Sequence, residues 1–206
     1  MSARAAILDR VRRAQATGHV PRVDAVAVDL TSPRDPAVAL ERFVTELTAV
    51  GVENFVEASD DAVRARVQAI VGGREVLRWD DDRLPYGVAA VLPGASTGGS
   101  ARDVQAAATV GVTGCAAAIA ETGSLAMLSG AGMPRSASLL PPVHLAIVRR
   151  GDIRFSLGQF LAERADDIAA AACCYFITGP SRTADIELTL TLGVHGPGQV
   201  FVVVGP

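Results

Sequence analysis

Hydrophobic and polar positions along the chain follow two regimes, which meet near residue 87. In the first, Ile7, Leu8, Val11 and Ala14 fall at helical spacing after Ser2, a residue type suited to an N-cap, so residues 3 to 16 read as a helix with a thin apolar stripe. The following TGHVPRVDAVAVDLTSPRDP carries Gly18 and three prolines and reads as an extended arm or loop. PAVALERFVTELTAVG then sets Leu40, Phe43, Val44 and Leu47 on one helical face, with Pro36 near its start and Gly51 as a stop. VENFVEA reads as a strand, DDAVRARVQAIVG as a helix ended by Gly72, and REVLRW as another strand. This alternation predicts right-handed βαβ units on a parallel sheet.

The second regime is built of short apolar runs punctuated by Thr-Gly and Gly-Pro. GVAAVLP reads as a buried strand and GASTGGSARD as a small-residue loop. VGVTGCAAAIAETGSLAML reads as a strand, a tight turn and a second strand, leaving Glu121 at a strand end. Pro141-Pro142 set an extended entry to VHLAIV, which puts His144, Ala146 and Val148 on one face. YFIT and QVFVVV read as two further strands. No linker or repeat interrupts the chain, so residues 1–35 are expected to form an N-terminal helix and arm, and residues 36–206 one α/β body with a sheet flanked by helices.

Composition sharpens this picture. The 206 residues are 50% apolar but only 4% aromatic, so the core must be made of small branched side chains in close-packed elements. A net charge of −3 gives no electrostatic case for nucleic acid or an anionic membrane as partner. All 19 basic residues are arginine, which excludes a Schiff-base lysine and a phosphate-loop lysine. The three cysteines, Cys115, Cys173 and Cys174, show no C-x-x-C and cannot supply a four-thiolate cluster. His19, His144 and His195 are too scattered for a His-only metal site, so no metal is expected. With no apolar run of membrane-span or signal length and with unpaired thiols, the expected location is cytoplasmic.

Several polar clusters could carry chemistry. The amides of Thr97-Gly98-Gly99-Ser100 could form an anion nest, although the loop lacks dinucleotide and Walker spacings. Glu121 among apolar neighbours reads as a nucleophile, an acid or a ligand anchor, or equally as a turn glutamate facing solvent. His144 reads as a hydrogen-bonded core residue or a site residue. In ITGPSRTADIELTLTLGVHGP, the turn at Gly179-Pro180 is followed by Ser181, Arg182 and Thr183, then Asp185 and Glu187, then His195-Gly196. Hydroxyls, an arginine fork and free amides at a strand's C-terminal end suit a phosphate or carboxylate, while Asp185 could equally cap a helix and pair with Arg182.

AETGSL, SLLPPVHLAIV, ITGPSRTADIE and LGVHGP, in this order, resemble the lactate-utilisation (LUD) domain of the LutC/YkgG family, and the charged opening SARAAILDRVR resembles the start of those proteins. The resemblance implies a fold of the NagB/RpiA/CoA-transferase-like type. It also implies the cluster-free component of a three-protein system oxidising L-lactate to pyruvate, with iron–sulfur clusters on the partner proteins and no cofactor bound by this chain. The matching positions are Glu121, Thr122, Gly123 and Ser124, then His144, then Ser181, Arg182, Thr183, Asp185 and Glu187, then His195 and Gly196. In CoA-transferase-like folds a strand-end glutamate can attack a thioester, and Glu121 holds that place here. Two alternatives therefore stand beside the lactate reading: an independent acyl- or phosphate-handling enzyme using Glu121, and a module that binds a small carboxylate or phosphate without chemistry.

Overall fold

The computed structural model describes residues 2–18, 35–183 and 191–206. Helix α1 (Ala3–Thr17) is capped by the Ser2 hydroxyl, which accepts the Ala5 amide, and it buries none of its residues. Helix α2 (Pro36–Ala49) starts where the Asp35 carboxylate accepts the Ala37 amide. Then follow β1 (Glu53–Val56), α3 (Asp60–Val71), β2 (Val76–Arg78), α4 (Arg102–Ala107), β3 (Val110–Thr113), β4 (Ala117–Ile119), β5 (Ser124–Ser129) and α5 (Ser136–Leu139). The chain continues through β6 (Val143–Arg149), β7 (Ile153–Arg154), α6 (Leu157–Glu163), α7 (Ala165–Ala170), β8 (Cys173–Ile177), β9 (Arg182–Thr183), β10 (Thr191–Leu192) and β11 (Gln199–Gly205).

Two larger sheets organise these elements. The first is entirely parallel, in the order β1-β11-β6-β3-β2. Its central strands β3, β6 and β11 are nearly continuous buried runs, as a sheet covered on both faces requires. Gly111, His144 and Val200 lie in one cross-strand row. A Cβ on Gly111 would sit 1.7 Å from the Ala137 carbonyl oxygen, so only glycine lets α5 lie this close to the row. The opposite face of the sheet carries α3 and the segment around Tyr86, which abuts Gly205.

The second sheet, β7-β4-β5-β8, is mixed and has no counterpart in the simple alternation read from the sequence. Its two middle strands bury both faces. Ala118, Ala120, Leu125 and Met127 join the main core, while Ala117, Ile119 and Ala126 pack with Phe160 of α6 in a separate cluster. Phe160 stacks edge-on against Phe176 at 6.0 Å. Phe43 and Leu47 of α2 and Val63 and Val67 of α3 are fully buried, each contributing about 1.5–3 kcal/mol over an exposed position.

One expected strand is not a strand. Residues Pro85–Val91, which take in most of GVAAVLP, form 3₁₀ turns packed on α3. Tyr86 and Gly87 both adopt left-handed backbone angles, which reverses the chain and prevents an extended run. The turn is held from outside: Arg64 donates to the Tyr86 carbonyl at 2.7 Å, and the Tyr86 hydroxyl donates to the Pro206 carbonyl at 2.8 Å.

Candidate functional site

The residues singled out in the sequence meet at the C-terminal end of α2, with some exceptions. Gly123, in the β4–β5 turn, has a φ of +63°, and a Cβ there would lie 2.8 Å from the backbone of Glu46 and Leu47. Beside it a hydroxyl chain runs from Thr122 to Ser124 and on to Thr178, each link 2.7 Å. Gly179 packs on Val50, and Arg182 donates to the Val50 carbonyl at 2.6 Å. A cation at a helix C-terminus satisfies an orphan carbonyl and the negative end of the helix dipole. Arg182 and Thr183 pair with Leu192 and Thr191, and the Ser181 amide and carbonyl bond to Pro197 and Gly193, with Gly196 against the Ser181 side chain. His195 is exposed on the same ribbon.

Glu121 and His144 stand apart from this cluster. The Glu121 carboxylate is exposed in its turn and accepts the Leu157 amide at 2.8 Å, alongside Ser156, whose hydroxyl accepts the Gln159 amide. It therefore serves the first turn of α6. His144 is fully buried in β6, where Nε2 bonds the Thr113 hydroxyl at 2.9 Å and Nδ1 has no partner among the described residues. Burial lowers its pKa to about 4, so it is neutral at physiological pH. Asp185 and Glu187 lie outside the described residues. The Thr97–Ser100 loop closes on itself, the Ser100 hydroxyl accepting the Thr97 amide while Gln105 donates to the carbonyls of Gly98 and Ser100.

A different set of residues lines a cleft of about 400 Å³. Trp79 directly follows β2, Cys115 lies two residues beyond β3, and Arg149 ends β6, so one wall is the C-terminal edge of the parallel sheet. The other wall comes from the end of β5, from Met133, and from Arg164 and α7. In open α/β sheets the C-terminal ends of the strands are where ligands bind. A second cavity of about 550 Å³ lies at the opposite end of β2, against Glu75 and Val76. Its Arg74 is occupied capping α3, donating to the Ile70 and Val71 carbonyls.

The cleft is electrostatically mixed. Arg83 meets Asp82 at 3.3 Å and Arg149 meets Asp152 at 3.7 Å, so neither guanidinium is saturated by a short bidentate pair. Arg164 is more committed, pairing with Asp167 and donating to the Ala116 carbonyl at 3.2 Å. Leu128, Met133, Ala116 and Ala170 supply apolar wall. Burial, reinforced by Asp152 and opposed by Arg149 and Arg164, pushes the Cys115 thiol up to about 12, which keeps it neutral as a lining group. The Trp79 indole is 3% exposed, and its Nε1–H has no partner among the described residues. Buried orphan donors are rare enough in folded proteins to mark a position held for something other than packing.

Among the described residues, none of the candidate catalytic or ligand-binding positions read from the sequence lines this cleft. The missed signal was the place of Trp79, Cys115 and Arg149: each comes at or just after the end of an apolar strand run in a parallel α/β pattern. Among the described residues, no group of three or more His, Cys, Asp and Glu side chains is arranged to hold a metal ion, and no helix is long and apolar enough to cross a membrane.

Comparison with known proteins places this geometry in context. Residues 40–204 match the LUD domain model. A protein named Lactate utilization protein C from Geobacillus sp. (strain WCH70) is 34% identical over 151 residues, covering 65% of this chain and 63% of its own. The alignment thus spans just under two thirds of that relative's length. Its namesake from Macrococcus caseolyticus is 32% identical over 164 residues, 73% of this chain and 71% of that one. Among solved structures, a DUF162 family protein from Deinococcus radiodurans has a TM-score of 0.70 at 22% identity, covering 84% of this chain and 100% of that chain. This last likeness supports the α/β fold.

Proposed function

The chain belongs to the LUD domain family, and on that premise we propose that it is a component of a lactate-utilisation system. The observation that carries this reading is the match over residues 40–204, joined to relatives at 32–34% identity that bear the name Lactate utilization protein C. In the finer form of the proposal, the chain is the cluster-free member of a three-protein assembly that oxidises L-lactate to pyruvate. Three cysteines are too few for a four-thiolate cluster, so the electrons pass through iron–sulfur clusters on partner proteins. The cleft at the ends of β2, β3 and β6 is where this chain meets the small molecule. An acyl-transfer role for Glu121 gains no support, because its carboxylate serves the α6 N-terminus.

Deleting the gene in its host and growing the strain on L-lactate or on glucose tests the role. Loss of growth on lactate alone, restored by the wild-type gene, is expected; undiminished growth on lactate overturns the proposal. Affinity purification from lactate-grown cells tests the assembly, which requires proteins with iron–sulfur absorbance to co-purify with this chain.

A further inference from the structure

We propose that the cleft lined by Trp79, Arg83, Arg149 and Arg164 binds a small organic monocarboxylate, its carboxyl group gripped by guanidinium nitrogens and its carbon chain laid on the apolar wall. This deepens the lactate-utilisation reading and rests on it for the choice of acid, while the cleft argument uses only the geometry. Three arginines and two aspartates line the space, and Asp152 stands beside Arg149, so each guanidinium already faces one carboxylate and the cleft has charge to hold a singly charged ligand at most. A phosphate dianion would be left undercompensated, and no lysine exists anywhere in the chain to make up the difference.

A guanidinium offers five N–H donors. Among the described residues, those of Arg83 and Arg149 are engaged only by the aspartate contacts at 3.3 and 3.7 Å, so each has donors left to turn toward an arriving carboxylate. Arg149 is the better placed, since it ends a central strand of the parallel sheet and its backbone is fixed by pairing with Gly205. The second element of recognition is apolar. Leu128, Met133, Ala116, Ala170 and the Trp79 ring offer a carbon chain a surface that an inorganic anion could not cover. The neutral Cys115 thiol adds no competing negative charge. Arg150, the next residue along, faces another part of the surface, beside Pro36 and Gln159, and takes no part.

Trp79 is the chain's one tryptophan, so its fluorescence reports on this cleft alone. The purified full chain is titrated with L-lactate, pyruvate and inorganic phosphate at constant ionic strength, and equilibrium dialysis with labelled lactate and pyruvate runs in parallel to count binding that leaves the indole unchanged. The expected result is saturable one-to-one binding of lactate or pyruvate, not displaced by phosphate. Binding weakens at least tenfold in Arg149→Gln and in Arg83→Gln, and is unchanged in Arg150→Gln; circular dichroism establishes that each variant is folded. Three results overturn the proposal: no saturable uptake of either acid by dialysis, full binding retained in both folded cleft variants, or preferential binding of phosphate. Any of these leaves the growth phenotype on lactate untouched, so failure of the cleft and failure of the lactate role are separately visible.

Discussion

Two arginines summarise the molecule's two polar regions. Arg182 belongs to a motif that draws attention in the sequence, yet its guanidinium closes the end of α2 on the Val50 carbonyl. Arg149 sits in the unremarked dipeptide Arg149-Arg150, yet it stands at the C-terminal end of a central parallel strand, over a cleft. Around Arg182 the turn glycine Gly123 and Gly179 meet α2 or Val50 at its end, each too close for much change, and the Ser124 hydroxyl is tied to Thr122 and Thr178. Around Arg149 the contacts are long and the donors are not saturated. Residues can be specified tightly because they pack, and a site can be assembled from residues that are individually unspecific.

Substitutions should separate the two regions, and the largest effect belongs to the scaffold beneath both. Gly111→Ala must displace the Ala137 carbonyl from 1.7 Å, and we expect a loss of about 3 kcal/mol, read by urea denaturation. Close behind comes the acid sensitivity of His144. Its folded pKa of about 4 lies below the unfolded value of about 6.5, so the unfolded chain takes up a proton first as pH falls. Stability should therefore be fully present above pH 6.5 and decline through the window down to about 4, by roughly 3 kcal/mol in total. His144→Gln should flatten that part of the pH profile of the urea midpoint.

Smaller effects address the motif residues. Arg182→Ala should cost about 1 kcal/mol through the uncapped Val50 carbonyl, leaving acid binding in the cleft unchanged once the protein is folded. Glu121→Ala should cost about 0.5–1 kcal/mol, the usual loss when a helix N-terminus loses a capping acceptor, again read by denaturation.

Much of the scaffold was legible because its signals are local. Ser2 caps α1 where residue type and periodicity said it should, Pro36 opens α2, and Gly72 ends α3 in the left-handed conformation. The hairpin around Glu121–Ser124 and the common face of His144, Ala146 and Val148 were equally readable from short-range alternation. Residues 85–91 were not, because two successive left-handed residues at Tyr86-Gly87 override an apolar run that otherwise resembles a strand. The mixed sheet was hidden for a different reason: β8 pairs with β5 across more than forty residues, a partnership that alternation within one run does not encode. The cleft was least legible, since Trp79, Cys115, Arg149 and Arg164 come from four separate segments and share no spacing. Only the rule that ligands gather at the ends of parallel strands would have joined them.

Whether this chain acts through the cleft or through the Glu121 turn is read most directly by complementing the deletion strain on L-lactate with Arg149→Gln and Glu121→Gln, each expressed at the wild-type level. Restored growth with Glu121→Gln and failure with Arg149→Gln is the predicted result. The reverse pattern contradicts the cleft proposal and returns the chemistry to Glu121.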